Sequence, residues 1–292
     1  MSGAQNGYYL PNPSPWPLTV SVGLFLLALG FVLFINEVHV GSWSMLAGAA
    51  VIVFVLFKWF GEVIRESEGG VYNDQVDTSF RLGMGWFIFS EVMFFAAFFG
   101  ALFYVRNYAV DWIAATDLLW PGYDGGWPTA GPKGPVPLAP DTPVSGPAQF
   151  SPMGAWGIPA INTLILLTSG ATVTVAHWGL RKDNRGQLIT WLALTIVLGL
   201  LFLSLQAYEY IHAYKELGLT LKTGVYGATF FMLTGFHGFH VTLGVIMLTV
   251  ILVRCIKGHF TPDHHFAFEG VAWYWHFVDV VWLFLFVFVY WL

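Results

Sequence analysis

Charge is scarce in this chain of 292 residues: Asp, Glu, Lys and Arg together make up 10%, where soluble domains average roughly a quarter. That shortage excludes an ordinary water-soluble globule. Cysteine is scarcer still. The lone Cys255 leaves no internal disulfide and no cysteine cage for zinc or iron–sulfur. Basic residues are few as well, 12 Lys+Arg against 17 Asp+Glu. No cationic surface exists to neutralise a phosphate backbone, so nucleic acid is excluded as a partner. No repeat of roughly 20–50 residues recurs, which removes solenoids. What the chain does have is apolar: 57% hydrophobic residues, 18% aromatic residues and a mean hydropathy of +0.66. Most of its length must face lipid or other apolar helices. This is the composition of an integral membrane protein.

A hydrocarbon core of about 30 Å needs about 20 apolar residues in a helix. Seven stretches meet or approach that length: 18–35, 42–60, 82–105, 157–180, 188–208, 225–253 and 270–292. The first does not read as a removable leader, because no Lys or Arg precedes it and no small-residue cleavage site follows. Instead Pro11, Pro13, Pro15 and Pro17 lead into it, an extended entry suited to a helix with proline in its first turn. Gly83, Gly85, Gly100, Gly235, Gly238 and Gly244 lie in or beside spans three and six, where small residues let membrane helices approach. Spans one and two are short and nearly free of polar residues. The expected architecture is all-α, with seven transmembrane helices and the first two set apart from a bundle of five, leaving a lipid-accessible cleft. Residues 1–60 carry the N-terminal segment and helices one and two. Residues 61–81 form an inner linker, and 82–292 form the five-helix bundle.

Orientation follows from Lys and Arg in the connections. The side that holds the N-terminus carries Lys58, Arg65, Arg81, Arg181, Lys182, Arg185, Arg254 and Lys257, against Arg106, Lys133, Lys215 and Lys222 on the other. Eight against four makes the first side cytoplasmic (or matrix) and puts the C-terminus outside. The longest connection, 106–156, is then an outer loop. Between Pro121 and Pro159 it holds 10 Pro and 8 Gly, so it is neither helical nor buried in lipid. It reads as an extended surface loop or a lid on a partner.

Ionisable groups inside a span are costly and mark a functional site or a structural pair. Glu91 lies nine residues into the third span, about 13 Å deep at the helical rise. His237 and His240 occupy the sixth span, and His276 and Asp279 the seventh, with Asp279 about 14 Å deep. Three helices thus bring ionisable groups to one layer. Each pair is spaced i,i+3 and shares a helix face, and Glu269, seven residues before His276, continues that face inward. A carboxyl in hydrocarbon favours its neutral form, so Glu91 is expected to donate a hydrogen bond that a histidine on another helix accepts. Two readings stay open for these residues: a proton relay or metal site, or an interhelical hydrogen-bond network that fixes packing. His237, His240, His276 and Asp279 could supply a ligand count, but no spacing here is diagnostic of a metal. No c-type haem attachment sequence is present.

At the inner ends of the spans, Arg65 and Glu66 follow the second and Arg254 and Lys257 follow the sixth. Basic groups there bind lipid phosphate or simply flank the spans. Trp59, Trp86, Trp120, Trp156, Trp178 and Trp291 fall near span ends, as interfacial anchors do.

Several of these motifs resemble one family. His264-His265-Phe266-Ala267-Phe268-Glu269, continued by Ala272-Trp273-Tyr274-Trp275-His276-Phe277-Val278-Asp279-Val280-Val281-Trp282-Leu283-Phe284, is similar to the C-terminal signature of cytochrome c oxidase subunit III. Gly235-Phe236-His237-Gly238-Phe239-His240-Val241 resembles its sixth-helix signature, and Phe89-Ser90-Glu91-Val92-Met93-Phe94-Phe95 its intramembrane glutamate motif. Pro15-Trp16-Pro17-Leu18, Val63-Ile64-Arg65-Glu66 and Val225-Tyr226-Gly227-Ala228-Thr229-Phe230-Phe231 also fit, so the resemblance runs from Pro15 to Trp291. The chain departs from mitochondrial members in its longer proline-rich connection, which points to a bacterial protein. It also carries Val71-Tyr72 where those relatives have a histidine pair.

The resemblance implies a redox-inactive core subunit of a proton-pumping haem–copper oxidase that reduces O2 to water. Haem and copper would belong to subunits I and II, and the main contact would be with I. No catalytic or metal-ligating residue is then expected in this chain, only structural phospholipid. The family role implied is to hold phospholipid, support proton uptake and preserve the catalytic subunit. Glu91 matches the family's glutamate, while Trp59, Arg65, Glu66, Arg254 and Lys257 stand at positions suited to head groups. The implied location is a bacterial inner membrane with a periplasmic C-terminus. Two alternatives remain on the residues alone. A proton-coupled transporter would share the buried carboxylates and histidines, although it usually shows paired repeats with broken helices. A membrane metalloenzyme using His237, His240 and His276 is the other.

Overall fold

The computed structural model describes Tyr9, residues 13–132 and residues 150–292. Pro11, Lys133 and the middle of the Pro/Gly-rich connection, 133–149, lie outside the described residues. Among the described residues seven helices are long and apolar enough to cross a membrane, and no strand occurs. They are α1 Trp16–Ile35, α2 Val40–Glu68, α3 Asp74–Ala114, α4 Ile158–Arg181, α5 Arg185–Lys215, α6 Gly224–Lys257 and α7 Phe266–Trp291.

All seven apolar stretches are helical except for the end residues Gly157 and Leu292, and most helices outrun them. Polar residues continue a helix readily once its apolar part has nucleated it. Thus α2 runs on to Glu68 and α5 on to Lys215. Helix α3 passes through a π-helical turn, Val105–Ala109, before ending at Ala114. The first turns of the expected outer loop are therefore helical. Local signals set several ends: Pro17 and Pro159 lie in the first turns of α1 and α4. The side chain of Asn184 accepts from the Gln187 amide at 3.1 Å and caps α5. Gly258, with φ +81°, closes α6 in the left-handed region.

The chain divides into two compact units, Met1–Leu82 and Gly83–Leu292. In the first, α1 and α2 form an antiparallel hairpin. Glycines seven residues apart on each helix face the other: Gly23 and Gly30 against Gly48 and Gly41. A Cβ on Gly30 would come within 2.5 Å of the Met45 amide nitrogen, and one on Gly41 within 2.5 Å of that of Phe34. Backbone touches backbone here. Ser44 adds a hydroxyl bond to the Leu26 carbonyl at 2.8 Å.

In the second unit, α4–α7 enclose a core dominated by Trp275 and Trp282, both fully buried. Cβ atoms on Gly199 (α5) and Gly244 (α6) would fall 2.8 and 2.7 Å from the Trp275 ring, so the indole fills a slot between those helices. Its Nε1–H donates to Ser169 Oγ on α4 at 2.9 Å. Trp282 donates to Thr163 Oγ1 at 2.9 Å and meets Phe202 edge-on at 4.7 Å. Lipid tails are as apolar as these side chains, so close packing and hydrogen bonds, rather than escape from water, hold the helices together.

The glycines of α3 behave otherwise than expected. Around Gly83, Gly85, Gly100 and Gly238 no neighbouring atom lies within 4 Å of an added Cβ, and at Gly235 only the Tyr210 hydroxyl does, at 3.7 Å. Gly244 alone of the expected six is tightly packed. The reason is aromatic: α3 meets α6 and α7 through rings, Phe94 on Phe236 at 5.0 Å, Phe95 on His240 at 5.0 Å and Phe99 on Phe284 at 6.1 Å. Those rings hold its backbone away.

The outer connection is fastened on both sides of its undescribed middle. The Tyr226 amide donates to the Thr129 carbonyl at 3.2 Å, and the Ser151 amide to the Leu217 carbonyl at 2.9 Å. Gly224 is left-handed at φ +61° and faces the Ala130 carbonyl so closely that a Cβ would sit 1.8 Å from its oxygen. Trp127 and Phe150 pack on the ring of Tyr226.

Candidate functional site

The structure brings Glu91 and His240 together: Nε2 of the imidazole lies 3.0 Å from Oε2 of the carboxyl. Nδ1 of the same ring is 2.6 Å from the Phe236 carbonyl. A carbonyl can only accept, so Nδ1 carries a hydrogen. In a neutral ring Nε2 is then a lone pair, and Glu91 must be the protonated donor. In the charged alternative the imidazolium donates to the carboxylate. Both arrangements place one proton between the two groups. The contact is mostly buried, with Phe94, Phe95 and Tyr274 around the imidazole. It ties α3 to α6.

The other expected residues take separate partners. His237, although on the i,i+3 face shared with His240, turns into the core and donates from Nε2 to the Val278 carbonyl at 3.1 Å. His276 stands 3.5 Å from Asp279 through Nδ1 and 3.3 Å from Thr174 Oγ1 through Nε2. Asp279 is buried over Gly170, where an added Cβ would lie 2.3 Å from Oδ2. Glu269 leaves this layer altogether and meets His265 and His177 at 3.2 and 3.6 Å.

Two groups escaped the sequence reading. His177 and His265, which no spacing argument singles out as partners, converge on Glu269. The i,i+4 spacing of His265 and Glu269 was the available signal; His177 comes from another helix. Glu209 was placed just beyond a span ending at 208. Because α5 continues to Lys215, Glu209 is buried inside, accepting from Tyr290 Oη at 2.6 Å and from Gln206 Nε2 at 3.4 Å.

Of the head-group candidates, Trp59, Arg65 and Lys257 are exposed. Glu66 accepts from the Tyr72 hydroxyl at 2.7 Å, and partial burial together with this carboxylate pushes the phenol's pKa upward. Trp16 donates from Nε1 to Glu62 nearby. Arg254 is buried, its guanidinium 4.4 Å above the Phe260 ring, a cation–π contact.

Comparison with known proteins decides what these residues belong to. A family model described as Cytochrome c oxidase subunit III matches residues 6–115 and 138–292. The chain belongs to this family. It is 42% identical to Cytochrome c oxidase subunit 3 of Marchantia polymorpha over 274 residues, 94% of this chain and 91% of that one. It is 42% identical to that of Formosania lacustris and 41% identical to that of Danio rerio, each over 282 residues, 96% of this chain and 95% of the other. Cytochrome c oxidase is an oxidoreductase, the terminal oxidase of respiration, and a subunit III is one part of it. Family membership sets the transporter alternative aside. The stretch left unmatched, 116–137, falls in the Pro/Gly-rich connection that the residues had marked as a departure.

Proposed function

We propose that within the oxidase this chain is a redox-inactive core subunit that supports proton uptake, holds phospholipid and keeps the catalytic subunit in working form. Haem and copper reside in subunits I and II in this reading, and the main contact is with subunit I. The observation that carries it is the Glu91–His240 pair, whose Nε2 and Oε2 lie 3.0 Å apart and fasten α3 to α6 within helices apolar enough to cross a membrane. Exposed Trp59, Arg65 and Lys257 support lipid binding, since each juxtamembrane basic group attracts anionic head groups by about 1 kcal/mol. The excess of Lys and Arg on the N-terminal side, with the long outer connection, supports a bacterial inner membrane with a cytoplasmic N-terminus and a periplasmic C-terminus.

The pair is tested by Glu91→Gln and Glu91→Ala in the assembled oxidase. Gln keeps a donor for His240 and nearly the same shape, so assembly and most oxygen consumption are retained. Ala leaves a void and an unsatisfied imidazole, a cost of about 1–3 kcal/mol, and weakens retention of the chain. Steady-state oxygen consumption and proton release are the measurements. Equal, near-complete loss in both variants would show an obligatory proton carrier instead, because an amide cannot pass that proton on.

A further inference from the structure

At the end of the second unit that carries Arg181, Lys182, Arg185 and Lys257, three ligand atoms from two helices converge. His177 Nε2 comes from the last turns of α4, His265 Nε2 from the N-cap of α7, and Glu269 Oε1 from the first turn of α7. Their separations are 3.2 Å between the two imidazole nitrogens, 3.2 Å from His265 to Glu269 and 3.6 Å from His177 to Glu269. A tetrahedral zinc ion with bonds of about 2.0–2.1 Å holds its ligand atoms about 3.3–3.4 Å apart. The three atoms stand within about 0.3 Å of that spacing.

Orientation agrees with distance. Nδ1 of His265 lies 3.1 Å from the Thr261 carbonyl, which puts a hydrogen on Nδ1 and, in the neutral ring, leaves Nε2 as a lone pair facing the other two atoms. Backbing of this kind, through the remote imidazole nitrogen, is how metal-binding histidines are commonly held. The His177 ring is steadied by Phe268, 5.3 Å away. Lone pairs of His265 and Glu269 facing one another at 3.2 Å repel unless a proton or a metal cation stands between them. His265 is buried while His177 and Glu269 are partly open to the outside, which leaves a fourth position for water or a partner's ligand. Two imidazoles and one carboxylate suit zinc and similar transition ions, whereas calcium and magnesium take oxygen-rich sets. We propose that His177, His265 and Glu269 form a divalent transition-metal site, able to take zinc, that clamps the end of α4 to the start of α7.

The test uses the purified oxidase carrying this chain, stripped with chelator and then titrated with zinc alone. Metal is counted by mass spectrometry above the complex's own content, and the added zinc is examined by X-ray absorption at its K-edge. One added zinc per complex is expected, with two imidazole nitrogens and one or two oxygens at about 2.0–2.1 Å. His177→Gln and Glu269→Gln, on different helices, should each weaken it at least tenfold, whereas His264→Gln, next to the site but outside it, should leave it unchanged. An absent added zinc, a shell lacking two imidazoles, or binding unaffected by both site variants would overturn the proposal. If neither variant assembles, the wild-type absorption spectrum decides by the same two-imidazole criterion.

Discussion

The α1–α2 hairpin and the α4–α7 bundle solve one problem in opposite ways. Both must hold helices together where lipid competes equally for apolar contact. The hairpin removes side chains: four glycines at intervals of seven let backbone meet backbone. The bundle instead inserts its largest side chain, Trp275, between glycines of two helices and anchors it by a hydrogen bond to a third. Glycine serves both, as a flat contact in one and as half of a socket in the other. A glycine in a membrane helix therefore acquires meaning only from what faces it, and those of α3 face open space.

That contrast can be broken most severely at Trp275. Trp275→Ala empties the socket and strands Ser169, and large-to-small changes at buried aromatic sites cost about 3–5 kcal/mol. We expect the chain to be lost from the purified oxidase, read by subunit content, or to dissociate at far lower denaturant concentration. Next comes the hairpin. Gly41→Ala drives a methyl into the rigid Phe34 backbone and should cost about 1–3 kcal/mol, while Gly100→Ala, with no neighbour within 4 Å, should be neutral or gain up to about 1 kcal/mol from helix propensity. Denaturant titration of the solubilised complex compares them, and equal effects would show that contact geometry does not govern. The smallest effect is Ser44→Ala. Its bond to the Leu26 carbonyl is a single interhelical hydrogen bond, worth about 0.6 kcal/mol in membrane proteins, and the same titration should place it well below Gly41→Ala.

The contrast also marks what the residues disclosed in advance. Apolar run length located every span, because bilayer thickness imposes it. Helix ends were less legible, since head-group layers tolerate polar residues that prolong a helix, and Glu209 slipped outside its span for that reason. Glu91 and His240 were foreseeable as partners from depth along straight helices of known rise. The meeting of His177 with Glu269 was not, because it depends on which faces of α4 and α7 turn toward each other. Glycine positions were visible but their neighbours were not, and the rings that keep α3 at a distance became apparent only in three dimensions.

The single proton between Glu91 and His240 has an electrical consequence. Whether it rests on oxygen or on nitrogen, the pair as a whole is neutral, and the two atoms are 3.0 Å apart. Even if that displacement ran straight along the bilayer normal, it would cross about a tenth of a 30 Å hydrocarbon layer. A respiring membrane at 100 mV does about 2.3 kcal/mol of work on a charge crossing the whole layer, hence about 0.2 kcal/mol on this hop. Thermal energy exceeds that. The pair is thus nearly blind to the voltage its own complex helps to build, and only a proton that leaves it altogether would feel the field.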